Sequence, residues 1–336
     1  MLNPDLKLNP KLFDKNVEMA PIRNGYGEGL VSLGEQDPNV VVLCADLTES
    51  TKSEEFSKKF PERFFEVGVA EQNMAAIAAG LGVSGKTAFI SYYAAFSPGK
   101  NWETIRTTII YNDSNVKIAG HHAGLMTGPD GATHQATEDI ASVRAWPNIK
   151  IFVPADSIEA RKATIEAGKI KGPVYLRFTR DKSPIMTTDK TPFTPTEIRV
   201  FWHPPAGGDK PQVVIFGMGW LLYQALLAAK ELETEGIDVL VANVSTIKPI
   251  DEKSIISLTQ KTGAAITVED HQITGGLGGA IAEVLVRNKS VPMEFVGLQN
   301  TFGESGKPAE LIKKYKMDKD AIIQAVLRVI TRKSKI

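Results

Sequence analysis

The most restrictive feature of the sequence is a repeated alternation. Short β-branched apolar runs are followed by segments of helical period, once before and once after a stretch rich in proline, threonine and glycine. In the first series VVVLC (40–44), FFEVG (64–68), TAFIS (87–91), NVKIAG (115–120), IKIFV (149–153) and PVYLRF (173–178) suit buried parallel strands. EQNMAAIAAGLG (71–82), WETIRTTIIY (102–111) and SIEARKATIEAGK (157–169) read as helices between them. In the second series QVVIFG (212–217), DVLVANV (238–244), AAITVED (264–270) and MEFVGL (293–298) are strands. WLLYQALLAAKELETEG (220–236), GGAIAEVLVRN (278–288) and MDKDAIIQAVLRVITRK (317–333) are helices, the first stopping at Gly236. This rhythm predicts an α/β protein of two domains, each a mainly parallel sheet flanked by helices. The break covers 181–211, with a short strand at IRVFW (198–202). We divide the chain into an irregular N-terminal arm (1–19), a first domain (20–185), a linker (186–208) and a second domain (209–336).

Charge narrows the function classes. Lys and Arg number 39, as do Asp and Glu, so the net charge is zero. That argues against electrostatic nucleic-acid binding and against a polybasic membrane surface, and it favours self-association or a partner. No apolar run approaches the ~20 residues that span a bilayer, and the arm lacks a signal peptide's apolar stretch. The expectation is a cytoplasmic protein. Cys44 is the one cysteine, so neither an internal disulfide nor a multi-cysteine metal site is available.

Candidate chemistry concentrates in three places. Three of the five histidines, His121, His122 and His134, lie in HHAGLMTGPDGATHQ, a loop directly after a strand. Its spacing is not diagnostic of a metal site. A polar substrate pocket is the better reading than a surface loop with chance histidines, because imidazoles donate to phosphate or hydroxyl oxygens and shuttle protons. Glu71 opens an Ala/Gly-rich helix. It is either a first-turn glutamate favoured by the helix dipole or a carboxyl at a packed interface. Tyr92, Tyr93 and Phe96 follow a strand and form either core packing or an apolar wall against a flat ring.

Taken together and in order, IRNGYGE (22–28), ADLTES (45–50), FFEVGVAEQNM (64–74), GPDGATHQATEDIASVRAWPNIKIFVPAD (128–156) and GPVYLRFTRD (172–181) resemble the transketolase family. The resemblance covers the pyrimidine-binding and C-terminal domains. It implies thiamine diphosphate as cofactor and reversible transfer of a two-carbon ketol unit, from a ketose phosphate such as xylulose 5-phosphate to an aldose phosphate. Glu71 then matches the glutamate that shares a proton with the cofactor's aminopyrimidine, which requires a carboxyl buried enough to hold or share a proton near neutral pH. Tyr92, Tyr93 and Phe96 match the aromatics around that ring, although FSPGKNWETIR is one residue longer than the usual spacing to the matching Arg106. Asp46 matches an acidic position near the thiazolium. Arg23, Ser50, His134 and Arg180 match the phosphate ligands, and two guanidiniums suit a dianion. His122 and Asp130 match the residues at the sugar hydroxyls near the reacting carbons, His122 being the second catalytic candidate.

The family's Gly-Asp-Gly diphosphate motif and its asparagine ligands to Mg²⁺ have no counterpart in the sequence. GGDKP (207–211) falls in the linker and PDGATHQ (129–135) in the histidine loop. No metal ligand is assigned to this chain. The resemblance therefore implies a split, two-subunit transketolase, an α2β2 heterotetramer in which a separate N-terminal subunit holds diphosphate and Mg²⁺. A 1-deoxyxylulose-5-phosphate synthase-like or 2-oxo-acid dehydrogenase beta-like subunit is the alternative within the same cofactor class. A non-catalytic assembly or regulatory subunit is the alternative outside it. TGGLGGA (274–280) and VVIFGMGW (213–220) lack the spacing of phosphate loops and suit helix packing. Glu269, Asp270 and His271 read as an interface cluster rather than a catalytic one.

Overall fold

A computed structural model describes residues 1–205 and 210–335. The last three residues of the expected linker, the first of the second domain and most of GGDKP lie outside the described residues. In chain order the strands are β1 (Met19–Pro21), β2 (Val40–Cys44), β3 (Phe64–Glu66), β4 (Thr87–Tyr93), β5 (Val116–His121), β6 (Lys150–Phe152) and β7 (Val174–Arg177). They continue as β8 (Lys182–Pro184), β9 (Arg199–Trp202), β10 (Val213–Gly217), β11 (Val239–Asn243), β12 (Thr246–Lys248), β13 (Ala265–Gln272) and β14 (Met293–Leu298). Apart from an antiparallel β1–β8 pair, one sheet has seven strands in the order β12-β6-β7-β5-β4-β2-β3, and the other five in the order β14-β13-β10-β11-β9. Within them only β12 and β9 run antiparallel to their neighbours. The expected pair of mainly parallel sheets is therefore present. Every residue of β2, β5, β10 and β11 is buried, as helices on both faces require.

Three features depart from the periodic reading. The arm docks by its backbone. Asn3 N donates to Phe201 O at 2.9 Å, Asn9 N donates to Met186 O at 2.9 Å, and Leu6, Leu8 and Leu12 are buried. Strand β12 comes from the C-terminal half but pairs with β6 in the first sheet, so the seam between the halves is stitched by a strand crossing it. Finally, Ile22–Gln36 is a helix although it holds four glycines, each costing about 1 kcal/mol relative to alanine. Gly25 shows the reason. A Cβ there would lie 1.8 Å from Ser157 O, so this helix can pack against Ser157–Lys169 only without side chains at the contact.

The seam carries a buried polar network. Arg177 Nε donates to Asp139 Oδ2 at 2.9 Å, and an Arg177 Nη donates to Asp270 O at 2.8 Å. The Asp270 carboxylate accepts from Leu125 N at 2.8 Å and from Trp220 Nε1 at 3.0 Å. Glu269 accepts from Leu277 N and Gly278 N, capping the Leu277–Arg287 helix. The Glu269–Asp270–His271 cluster thus joins the halves. Gly278 in TGGLGGA is occupied by packing, since a Cβ there would lie 2.4 Å from Phe295.

Candidate active site

The candidate residues gather at the carboxyl ends of β2, β4 and β5 and at the helix that follows β3, where parallel sheets leave an open crevice. Asp46 and His122, one or two residues past their strands, have left-handed backbones (φ 69° and 55°), an uncommon conformation for non-glycine residues that surrounding contacts must hold.

Glu71 is the first residue of the Glu71–Val83 helix and is buried. Its Oε2 accepts from Lys100 Nζ at 2.8 Å, and its backbone carbonyl accepts from Asn101 Nδ2 at 3.0 Å. Burial pushes the carboxyl up. The Lys100 ammonium, the residue's own backbone amide and the Tyr92 hydroxyl outweigh that, so Glu71 lies below its ordinary value. In this chain by itself the Lys100 ammonium thus favours the ionised carboxyl.

Tyr92 and Tyr93 close β4, and their rings lie side by side, 6.0 Å apart and tilted by 37°. Tyr92 faces Glu71, and burial followed by the Glu71 charge pushes its hydroxyl up to about 12. Tyr93 borders Ser50 and His122 instead. Its hydroxyl is 2.8 Å from Ser50 Oγ, and its ring stacks on His122 at 3.7 Å and 28°. Phe96 lies edge-on to Tyr92 at 6.0 Å and to His134 at 5.3 Å.

Arg23 Nη1 donates to Ser50 O at 2.6 Å and to Ser50 Oγ at 3.2 Å. Arg180 Nη1 donates to Thr127 O at 3.1 Å and stands 3.9 Å from Asp130 Oδ1. His122 is buried. Burial, then Arg23, Arg180 and His134, push it down to about 2, so it is a neutral imidazole. Arg23 Nε and His122 Nδ1 are buried and have no hydrogen-bond partner within the chain. Such orphaned groups are rare in folded proteins and suit an anionic or polar ligand. Arg23, Ser50 and Asp46, with Lys52, line a cavity of about 550 Å³.

Sequence reasoning missed Lys100 and Glu66. Glu66 accepts from Asp46 N at 2.6 Å, from Thr48 Oγ1 at 2.7 Å and from Gly68 N at 3.2 Å. Its place at the end of FFEVG, beside two loops, was the available signal. His121 leaves the candidate set as a site residue: it is buried between Tyr26 and Phe178, facing the core.

Residues 18–185 match the family described as transketolase, pyrimidine binding domain, and residues 207–322 match transketolase, C-terminal domain. The chain belongs to the transketolase family. It is 40% identical over 309 residues to a Methanocaldococcus jannaschii protein provisionally named a transketolase C-terminal section, covering 91% of this chain and 95% of that one. It is 34% identical to the 6-deoxy-6-sulfo-D-fructose transketolase subunit SqwH of Clostridium sp., covering 96% of this chain and 98% of the subunit. Against human transketolase the identity is 36%, and the match takes up 92% of this chain but 49% of the human protein. A solved split gene transketolase, described as an inactive beta4 tetramer, superposes with a TM-score of 0.85 at 42% identity, covering 93% of this chain and 98% of that chain. The chain thus corresponds to the C-terminal section of transketolases, a family that depends on thiamine diphosphate.

The donor set fits one half of that cofactor. A buried carboxylate beside Tyr92 and Phe96 offers a flat apolar wall with one polar anchor, which suits an aminopyrimidine ring. Among the described residues no three His, Cys, Asp or Glu side chains are placed to hold a metal ion, and no helix is long and apolar enough to cross a membrane.

Proposed function

We propose that this chain is the C-terminal subunit of a two-subunit transketolase that moves a two-carbon ketol unit between sugar phosphates in the cytoplasm. The observation that carries this reading is the convergence of Arg23, Ser50, His122 and Arg180 around Tyr93, whose ring lies 6.0 Å from that of Tyr92 beside Glu71. In this reading residues 20–185 form the pyrimidine-binding domain and 209–336 the C-terminal domain, joined by 186–208.

When bound, thiamine diphosphate supplies the reactive carbon and the electron sink. Glu71 would hold the aminopyrimidine at its ring nitrogen and share a proton there, with Tyr92 and Phe96 flanking the ring and Asp46 at the thiazolium side. Arg23 and Arg180 would bind a terminal dianion with charge-assisted hydrogen bonds, and Ser50 would orient it. The geometry favours a different division of labour between the histidines from the one the resemblance implied. Both arginines act on His122, which supports placing His122 at the phosphate. His134 borders Phe96, which supports placing it with Asp130 near the reacting carbons. Tyr93 belongs on the sugar side as the platform under His122.

The diphosphate and Mg²⁺ would be held by an N-terminal partner subunit, in an α2β2 assembly. The description of the related beta-only tetramer as inactive supports this need. Two guanidiniums accept a sulfonate as well as a phosphate, and the related SqwH subunit is named for a sulfo-sugar. The test is turnover of the chain mixed with a Gly-Asp-Gly-bearing partner, using xylulose 5-phosphate with ribose 5-phosphate, a 6-sulfo ketose, or pyruvate. Turnover of the phosphates above the other two is the expected result. Turnover of pyruvate alone would move the protein to the synthase or dehydrogenase class, and no turnover would favour an assembly subunit. Tight cofactor and Mg²⁺ binding by the isolated chain would remove the partner from the scheme.

A further inference from the structure

Lys100 occupies a position that the function proposed above does not use. Its ammonium lies 2.8 Å from Glu71 Oε2, yet its side chain is 52% exposed while that of Glu71 is 4% exposed. The neighbouring Asn101 is fully buried and ties the same segment down, donating to Glu71 O at 3.0 Å and to Ser97 Oγ at 3.2 Å. Asn101 therefore anchors the backbone, and Lys100 reaches the carboxylate from a base that does not need to move. The segment is the one whose spacing to Arg106 is a residue longer than the family pattern, so the contact is not part of the resemblance.

We infer that Lys100 is a displaceable counter-ion, which caps Glu71 while the pyrimidine pocket is open and must release it when an aminopyrimidine ring docks. The inference rests on the assignment of Glu71 proposed above. A ring nitrogen needs Glu71 to carry or share a proton, and an ammonium on the same carboxylate stabilises the opposite, ionised form. Docking of the ring also excludes water, which makes the competition steeper. The other titratable group facing Glu71 is the Tyr92 hydroxyl, with Asp46 and Cys44 acting on Tyr92 in turn. None of these supplies a second cation, so Lys100 is the cation that faces the Glu71 carboxylate. Its exposed, flexible stem lets it swing into solvent at little cost.

Lys100 is thus a positioning residue, acting through Glu71 and not on substrate. The test compares wild type, Lys100→Met and Lys100→Arg. In the full chain, carboxyl ¹³C NMR reads the Glu71 titration, with Glu71→Gln to assign its signal. Lys100→Met should move the Glu71 midpoint upward and Lys100→Arg should leave it near wild type. An unchanged midpoint in Lys100→Met overturns the inference. In the assembled enzyme, binding of thiamine diphosphate with Mg²⁺ is followed by quenching of tryptophan fluorescence. Lys100→Met should bind about fivefold more tightly, the scale of one partly exposed ion pair, and Lys100→Arg should not. Equal or weaker binding in Lys100→Met overturns it as well. Glu71→Gln separates the two levels: if it retains turnover, the assignment of Glu71 fails, whatever the Lys100 variants show. If it loses turnover while Lys100→Met matches wild type in both measurements, only the counter-ion role fails.

Discussion

The Glu66 carboxylate accepts the Asp46 amide at 2.6 Å and the Gly68 amide at 3.2 Å. One side chain thereby braces two loops: the one that presents Asp46 in its left-handed conformation, and the one that leads into Glu71. The relative placement of the two acidic groups depends on this brace.

Glu66→Ala removes both acceptor oxygens and leaves the Asp46 and Gly68 amides and the Thr48 hydroxyl without this partner. We expect about a tenfold loss in kcat from loop displacement, with unfolding temperature little changed. Faster hydrogen exchange at residues 46–50 and 68–70 would accompany it. Steady-state kinetics and exchange mass spectrometry check this.

Glu71→Ala should reduce turnover of the assembled enzyme by about 10²–10⁴-fold, the usual share of positioned proton transfer. The fold should survive, because the helix start is also held by Asn101 donating to the backbone carbonyl of residue 71. Turnover and circular dichroism on the same preparation decide it. Near-normal turnover would remove Glu71 from the mechanism.

Arg180→Ala should weaken phosphorylated sugars far more than unphosphorylated ones. The expected discrimination is about 1.5–3 kcal/mol in kcat/KM, the scale of a hydrogen bond to a charged group. An equal loss for both substrate classes would place Arg180 outside the phosphate site.

Glu159 gives a pH-dependent prediction that does not involve catalysis. It accepts from Ala155 N at 2.6 Å and from Asn243 Nδ2 at 2.9 Å, and burial together with the Asp156 charge pushes it up to about 8. Between its unfolded value, about 4.3, and about 8, the native state holds a proton that the unfolded chain has released. Wild-type stability therefore falls as pH rises through this window, by at most about 1.4 kcal/mol per pH unit from this group. Glu159→Gln removes the titration. Its stability relative to wild type should rise from pH 5 to 8 and level off above, as measured by denaturant unfolding at each pH. A pH-independent difference would show that Glu159 titrates normally.

The amino-acid sequence by itself determined the βα rhythm, the two mainly parallel sheets and the family. Whether a short run can be a buried strand depends on its own residues, and the ordered motifs from IRNGYGE to GPVYLRFTRD are local strings. It also named most of the candidate site, because Arg23, Ser50, Glu71 and Arg180 are carried in those strings and His122 in the histidine loop. The tertiary structure decided what depends on contacts between distant residues. Strand β12 has three residues, too few for a periodic signal, and joins the first sheet only because the halves pack there. The glycine-rich Ile22–Gln36 helix is set by its close approach to Ser157, against its own propensity. The side-by-side placing of the Tyr92 and Tyr93 rings departs from simple strand alternation, and which of them meets Glu71 required the packed sheet. The downward shift of the Glu71 carboxyl depends in part on Lys100, 29 residues away. A side chain's charge is set by what surrounds it in space, and the chain order of those neighbours does not encode the distance.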